Sequence, residues 1–300
     1  MTANSNASYT YDSNGNTLTK TVGSNTTTYA WDFENRLTSV TLPGSGGTVT
    51  FKYDPLGRRI EKSSSATTSI FAYDGDNLIE EGNSSGAVVA RYAQSQNIDE
   101  PLAMLRSSTT SYYNADGLGS VTSLTNYSGA TAQAYTYDSF GNMTGSSGSL
   151  TNPFQYTGRE KDSETGLYYY RARYYDPTVS KFISEDPSGF DGGINFYNYS
   201  NNGPTNLIDP YGLQPQTGSW AWWLRGVGDA AAMTLGWATG LGPSNYNFGP
   251  GSVEVRNMRI SPGYNSLAIT IVIIVATVRV IHELSVEDIH LDLKDYGIRG

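Results

Sequence analysis

The sequence predicts a mainly β fold: stacked antiparallel hairpins forming a curved or spiralling sheet, followed by a small mixed C-terminal tail. Three observations predict it. An aromatic residue followed by Asp recurs at Tyr11-Asp12, Trp31-Asp32, Tyr53-Asp54, Tyr73-Asp74 and Tyr137-Asp138, with weaker copies at Tyr92 and Tyr113. The first four copies stand about twenty residues apart, a period typical of a stacked supersecondary unit. The composition agrees, since 23 Tyr and 33 Gly in 300 residues combine strand-forming aromatics with turn formers.

Each copy has the same internal order. Alternating residues such as Thr28, Tyr29, Ala30 and Trp31 lead into a turn such as Asp12-Ser13-Asn14-Gly15-Asn16, Asp54-Pro55-Leu56-Gly57 or Asp138-Ser139-Phe140-Gly141-Asn142, and alternation resumes. That order reads as strand, tight turn, strand. The Asp side chain can accept hydrogen bonds from backbone N–H groups at the turn, and Gly supplies positive φ where the chain reverses. A lone hairpin is marginal in water, whereas hairpins stacked side by side bury each other's aromatic faces.

Charge and residue stock exclude several function classes. With 19 Lys and Arg against 28 Asp and Glu, net −9, and no basic cluster, the hairpin region has no footprint for nucleic acid. The absence of cysteine removes disulfides, thiolate zinc sites and a cysteine nucleophile together. Only His282 and His290 are available for histidine chemistry. Carboxylates, hydroxyls, lysine and arginine remain as catalytic stock. Residues Met1 to Asn6 carry neither a basic flank nor an apolar run, so a secreted or cell-surface location would be reached without a Sec signal peptide.

Residues 9–213 resemble the end of an Rhs/YD-repeat protein, the family that includes the C components of insecticidal Tc toxins. The Tyr-Asp repeats carry part of the resemblance. Tyr112-Tyr113-Asn114-Ala115-Asp116-Gly117-Leu118-Gly119-Ser120 is similar to the family's Tyr-Tyr-His-x-Asp-His-Leu-Gly-Ser, with both histidines replaced. The Rhs-associated core supplies the more specific signature. It runs from Phe154-Gln155-Tyr156-Thr157-Gly158-Arg159-Glu160 through Arg173-Tyr174-Tyr175-Asp176-Pro177 and Asp186-Pro187-Ser188-Gly189 to Asp209-Pro210-Tyr211-Gly212-Leu213. Ser180-Lys181-Phe182 stands where the family commonly has Gly-Arg-Phe, and Glu185 adds a carboxylate beside Asp186.

The resemblance implies a three-part chain: a YD-repeat sheet over 1–150, an Rhs-associated core over 151–213 and a variable segment over 214–300. It implies a β shell around a hollow interior, closed at one end by the core, which cuts the chain between Leu213 and Gln214 to release a C-terminal effector. Asp186 and Asp209 become an aspartyl-protease-like pair, and Arg173 becomes the assisting arginine. Amide hydrolysis needs a base to activate water and an acid for the carbonyl oxygen or leaving nitrogen, and two close carboxylates divide those roles by sharing a proton. Which Asp is acid and which is base stays open in the sequence.

About seven hairpins do not close around a cargo, so the chain reads as the terminal part of a longer product or as a cassette that joins a longer Rhs shell. Its expected partners are its own C-terminal segment, a longer shell and a secretion-system component. The competing reading is a non-catalytic β-repeat interaction or cell-surface protein, in which Asp176-Pro177, Asp186-Pro187 and Asp209-Pro210 only form turns.

Beyond Leu213 the Tyr-Asp period stops, and four of the five tryptophans follow, at 220, 222, 223 and 237. Residues 226–236 resemble the apolar segment that often follows the Rhs core and read as one short helix, while Gly226-Val227-Gly228 has no preceding strand to make a phosphate loop. Residues 267–278 are too short to span a bilayer and read as a buried strand or two, or as a membrane-seeking segment once released. His282 and His290, with Glu283, Glu287 and Asp288, match no metal-ligand spacing and read as a solvated acidic terminus. No cofactor and no metal are expected.

Overall fold

The computed structural model describes residues 7–217, which fall in the first of two compact units, Met1–Trp220 and Ala221–Gly300. The helix expected at 226–236, the run 267–278, His282 and His290 lie outside the described residues.

Fourteen strands form one sheet: β1 (Ala7–Tyr11), β2 (Thr17–Val22), β3 (Asn25–Trp31), β4 (Leu37–Thr41), β5 (Thr48–Tyr53), β6 (Arg59–Ser63), β7 (Thr68–Asp74), β8 (Asn77–Asn83), β9 (Val88–Gln94), β10 (Pro101–Arg106), β11 (Thr109–Ala115), β12 (Val121–Thr125), β13 (Thr131–Tyr137) and β14 (Met143–Gly148). Their spatial order is their chain order, and among the described residues no further strand pairs with β1 or β14. The expected mainly β fold of stacked hairpins is therefore present.

The recurring Asp builds the turns. Asp12, Asp32, Asp54, Asp116 and Asp138 each accept two backbone N–H groups on Oδ1, from the second and fourth residues onward, at 2.8–3.0 Å. Asn83 and Asn126 do the same, so the motif needs the Asx oxygen and not its charge. Asn35, at φ 59°, takes the left-handed position that Gly15, Gly57 and Gly141 fill elsewhere. Tyr73-Asp74 departs from the pattern, because Gly75 and Asp76 close β7 onto β8 in a two-residue loop.

The aromatic before Asp has a role that the period alone did not reveal. Register shifts occur at Tyr11, Trp31, Tyr53, Tyr73 and Tyr137, and these bulges re-aim the rings. Trp31 Nε1 donates to Thr17 O, Tyr53 Oη to Leu37 O, Tyr73 Oη to Arg59 O and Tyr137 Oη to Val121 O, at 2.7–3.0 Å. Each ring thus binds the first strand residue after an earlier turn, and stitches hairpin to hairpin. Tyr73→Phe, which strands the Arg59 carbonyl, is expected to cost about 1 kcal/mol in urea denaturation.

Alternation gives the sheet one inner face. On β5, Val49 and Phe51 are buried while Thr48, Thr50 and Lys52 are exposed. That face is covered by the segment 154–213, whose small sheet comprises β15 (Glu160–Lys161), β16 (Tyr168–Tyr170), β17 (Arg173–Asp176) and β18 (Lys181–Phe182). Leu167, Tyr169, Tyr174 and Ile183 pack on Tyr29, Leu37, Val40 and Phe51, while Phe154 joins the Phe71, Tyr92, Met104 and Leu124 cluster. Tyr156, Tyr168, Tyr170, Tyr175, Phe182 and Tyr199 form the segment's own buried aromatic core.

These contacts also bend the sheet. Laid flat, fourteen strands at ~4.8 Å spacing would put the edges roughly 60 Å apart. Here the same segment reaches both end turns. Tyr197 Oη donates to Gly15 O (2.7 Å), while Tyr175 Oη donates to Phe140 O (2.7 Å) and Tyr156 Oη to Ser139 O (2.9 Å). The sheet is therefore curved around residues 154–213. Buried charge pins the two layers: Arg59 on β6 bonds Asp162 and Glu160 at 2.6 and 2.9 Å, and Asp99 accepts from Arg159 and Arg171.

Candidate functional site

Three consecutive residues of the core segment grip the chain leading to Leu213. Arg171 Nη1 donates to Pro210 O, Ala172 N to Tyr211 O (3.1 Å) and Arg173 Nε to Gly212 O. Gly212 is required for so close an approach: at φ 67°, a Cβ there would stand 2.6 Å from Tyr170 O. Asp209 closes the turn that follows β19 (Leu207–Ile208), and β20 (Gln216–Thr217) pairs back onto β19 just beyond Gln214.

The sequence-predicted residues meet here. Arg173, on β17, lies with its guanidinium carbon 3.7 Å from the centre of the Phe182 ring and is 2% exposed. Its Nη1 donates to Phe196 O at 2.8 Å. Its Nη2 binds Asp186 Oδ2 at 2.7 Å and Asp209 Oδ2 at 3.4 Å, so the two carboxylates can be no further apart than those two bonds laid end to end. Asp209 Oδ1 accepts from Leu213 N at 3.0 Å and from Gln214 N at 3.2 Å, so it touches the nitrogen of the Leu213–Gln214 bond. Asp186 Oδ1 accepts from Ser188 N and Ser188 Oγ at 2.8 and 2.5 Å, and that hydroxyl lies 3.3 Å from Leu213 O. Both polar ends of the bond thus have a side chain of the carboxylate pair, or one bonded to it, within hydrogen-bond reach.

Electrostatics act on Asp209. Burial pushes the Asp209 carboxyl above its ordinary value, against Arg173 and the backbone N–H groups that pull it down, and the nearby Asp186 charge adds to the rise. Burial likewise lowers Arg173 from the usual arginine value, overcoming the opposite pull of Asp186 and Asp209. A guanidinium nevertheless stays charged in a protein. One cation thus faces two carboxylates in a dry site, an arrangement in which a shared proton relieves the excess negative charge.

Asp176 and Glu185 stand apart from this constellation. Asp176 accepts from Lys20 Nζ (2.5 Å) and from Thr178, pinning β17 to β2. Glu185 is turned toward the first hairpin, where it accepts from Tyr197 Oη at 3.3 Å. Ser180 sits at φ 60°, a backbone position where glycine is at ease, which accounts for Gly in the family's Gly-Arg-Phe. Ser188 is the site residue that the sequence reading did not single out. Its only sequence signal is a hydroxyl residue two places after Asp, which Asp176-Pro177-Thr178 also has. Among the described residues no group of three or more His, Asp or Glu could hold a metal ion.

A cleft of ≈ 350 Å³ is bordered by Arg171, Pro187, Tyr211 and Leu213. Among the described residues no helix is long and apolar enough to cross a membrane.

The Teneurin YD-shell family model matches residues 4–205. A tRNA3(Ser)-specific nuclease WapA of Bacillus spizizenii is 33% identical over 270 residues, covering 84% of this chain but 11% of that protein. Double-stranded DNA deaminase toxin A of Burkholderia cenocepacia is 35% identical over 107 residues, covering 34% of this chain and 7% of that protein. Among solved structures, a Tc holotoxin pore of Photorhabdus luminescens with a TccC3 variant superposes with TM-score 0.57 at 23% identity, over 69% of this chain and 11% of that one. The chain therefore spans about a tenth of the length of the relatives it matches most fully.

Proposed function

The chain belongs to the YD-shell family, and from that premise we propose that it is the terminal part of an Rhs/YD-repeat delivery shell that cuts itself after Leu213 to free the segment beginning at Gln214. The reading rests above all on one observation: two carboxylates share Arg173 Nη2, and one of them holds the amide nitrogen of the Leu213–Gln214 bond.

The chemistry follows from the placement. Asp209, with its raised pKa and its contact to Gln214 N, carries the shared proton and acts as acid. Asp186 is assigned the base. Water adds to the Leu213 carbonyl carbon as Asp186 takes its proton. The C–N bond then breaks as Asp209 passes its proton to Gln214 N, leaving a carboxyl on Leu213 and an amine on Gln214. Arg173 holds both acids in register and tempers their repulsion, which its donor fork suits. The step is a single turnover, because the substrate is the enzyme's own chain.

In this reading residues 7–148 are a wall segment to which more hairpins add at β1 and β14, since unpaired strand edges are ready templates for another strand. The cargo would be residues 214–300. The nuclease and deaminase activities named for the two relatives belong to those proteins, and their difference fits a shell whose cargo varies. Export and delivery outside the producing cell complete the proposal.

Intact mass of the purified chain tests it: fragments ending at Leu213 and starting at Gln214 are expected, and a single uncut mass would leave the non-catalytic interaction protein as the better reading. The pH dependence has a defined sign. A carboxyl whose folded pKa lies above its unfolded value, near 3.8, is held protonated by the fold, so its contribution is present at low pH and is lost as pH rises through the folded value. The cleavage rate should therefore fall on a limb centred above 3.8. A limb at the unshifted value, or none, would remove Asp209 as the acid.

A further inference from the structure

Resting on the cleavage reading above, we propose that Ser188 is a catalytic hydroxyl, the donor that meets the Leu213 carbonyl oxygen as negative charge develops there. Ser188 Oγ lies 2.5 Å from Asp186 Oδ1 and 3.3 Å from Leu213 O, and it has one proton to give. In the resting site that proton goes to the nearer, charged acceptor. When Asp186 takes a proton from the attacking water, its oxygen becomes a donor to Ser188 Oγ. The hydroxyl proton is then released to turn onto the carbonyl oxygen, which by then carries the charge of the tetrahedral adduct. No covalent bond to Ser188 forms or breaks; the hydroxyl only changes acceptor, and it returns when Asp186 loses its proton.

The contact with Leu213 O is what distinguishes this hydroxyl from ordinary turn chemistry in the same chain. Thr178 bonds Asp176 Oδ1 through both N (2.9 Å) and Oγ1 (2.6 Å), and Ser85 and Ser128 bond Asn83 and Asn126 in the same way. Those residues close Asx turns. The Thr178 hydroxyl faces Lys20 Nζ at 2.7 Å, and only at Ser188 does the hydroxyl also reach the carbonyl of the bond proposed for cleavage. The coupling to Asp186 adds timing, because the donor is freed by the same proton transfer that creates the oxyanion.

The test follows the intact mass of the full chain over time after cell-free synthesis, for the wild type, Ser188→Ala, Ser188→Thr and Thr178→Ala, alongside urea denaturation. Losing one oxyanion donor is expected to slow Ser188→Ala by about 10²-fold, while Ser188→Thr, which keeps the hydroxyl, stays within about tenfold of wild type. The urea midpoint of Ser188→Ala should match that of Ser188→Thr, so that the rate difference tracks the hydroxyl and not the turn. Ser188→Ala cutting at the wild-type rate, or Ser188→Thr failing to restore cleavage, overturns the role of Ser188 and leaves the Asp pair standing. An uncut wild-type chain, or one cut equally fast with Asp209→Asn, overturns the underlying cleavage reading instead.

Discussion

Asp209→Asn is expected to leave the chain uncut, as a single full-length mass where the wild type gives two fragments. The substitution is nearly isosteric, and the amide oxygen can still accept from Leu213 N and Gln214 N as Oδ1 does now. The turn should therefore persist, as it does at Asn83 and Asn126, where an amide already serves the same backbone pattern. What disappears is the titratable proton. General acid–base catalysis contributes about 10²–10⁴-fold, which turns cutting on the minute scale into cutting on the scale of hours to weeks. Asp186→Asn should fail to the same extent, and the double variant should be little worse than either single one, because the pair acts as a unit. Asp176→Asn is the control: it alters a third Asp-Pro turn whose oxygens face Lys20 and Thr178, away from Arg173, and it should cut normally. Normal cutting by Asp209→Asn would end the catalytic assignment.

The local rules that shape the sheet were readable because they are short-range. A period of about twenty, an Asx oxygen and a glycine or Asn35 at positive φ specify the seven Asx turns, at 12, 32, 54, 83, 116, 126 and 138, within five residues, and alternation then fixes the buried face. The same rules fail at Tyr73-Asp74, where Gly75-Asp76 offers a tighter loop and the Asx bond is not made. The ring-to-carbonyl stitches, such as Tyr53 to Leu37 and Tyr73 to Arg59, cross between hairpins, and a bulge must first turn the ring. Spacing in the sequence gives the repeat but not that direction.

At the candidate site, Arg173, Asp186 and Asp209 were reachable only through a family resemblance. Their own spacings, 13 and 23 residues within an irregular segment, match no element period that would bring them together. What unites them is the grip of residues 171–173 on 210–212, a long-range pairing. Ser188 was hidden for the opposite reason. Its sequence context is shared with ordinary turns, and only the position of the Leu213 carbonyl tells it from Thr178.

Arg59→Met should be the most destabilising single change, at about 3–5 kcal/mol, because it strands a buried charge network between sheet and core segment. Arg59 is 1% exposed, and its guanidinium bonds Asp162 and Glu160 while stacking 4.5 Å from the Tyr169 ring centre and 5.0 Å from that of Phe71. Burial alone would lower its pKa; Asp162, Tyr174 and Glu160 reverse that and raise it well above the ordinary arginine value, so the cation is tightly held. Methionine replaces much of the apolar stem but leaves two carboxylates in a dry layer. Asp162 keeps Lys62 at 3.3 Å, and Glu160 keeps Arg159 at 3.7 Å, which places the cost toward the lower end of that range. The measurement is the urea midpoint in an Asp186→Asn background, where cutting cannot confound unfolding. Adding Glu160→Gln and Asp162→Asn to Arg59→Met should recover part of the loss, since neutral groups no longer need a buried cation. No recovery would mean that the stacking on Tyr169 and Phe71, and not the charge, carries the stability. In the otherwise wild-type chain, Arg59→Met should also slow cleavage, because the Arg59 guanidinium reaches Tyr174 Oη on β17 at 3.4 Å, and β17 carries Arg173. Unchanged cutting in a destabilised variant would show that the site assembles independently of the β6 anchor.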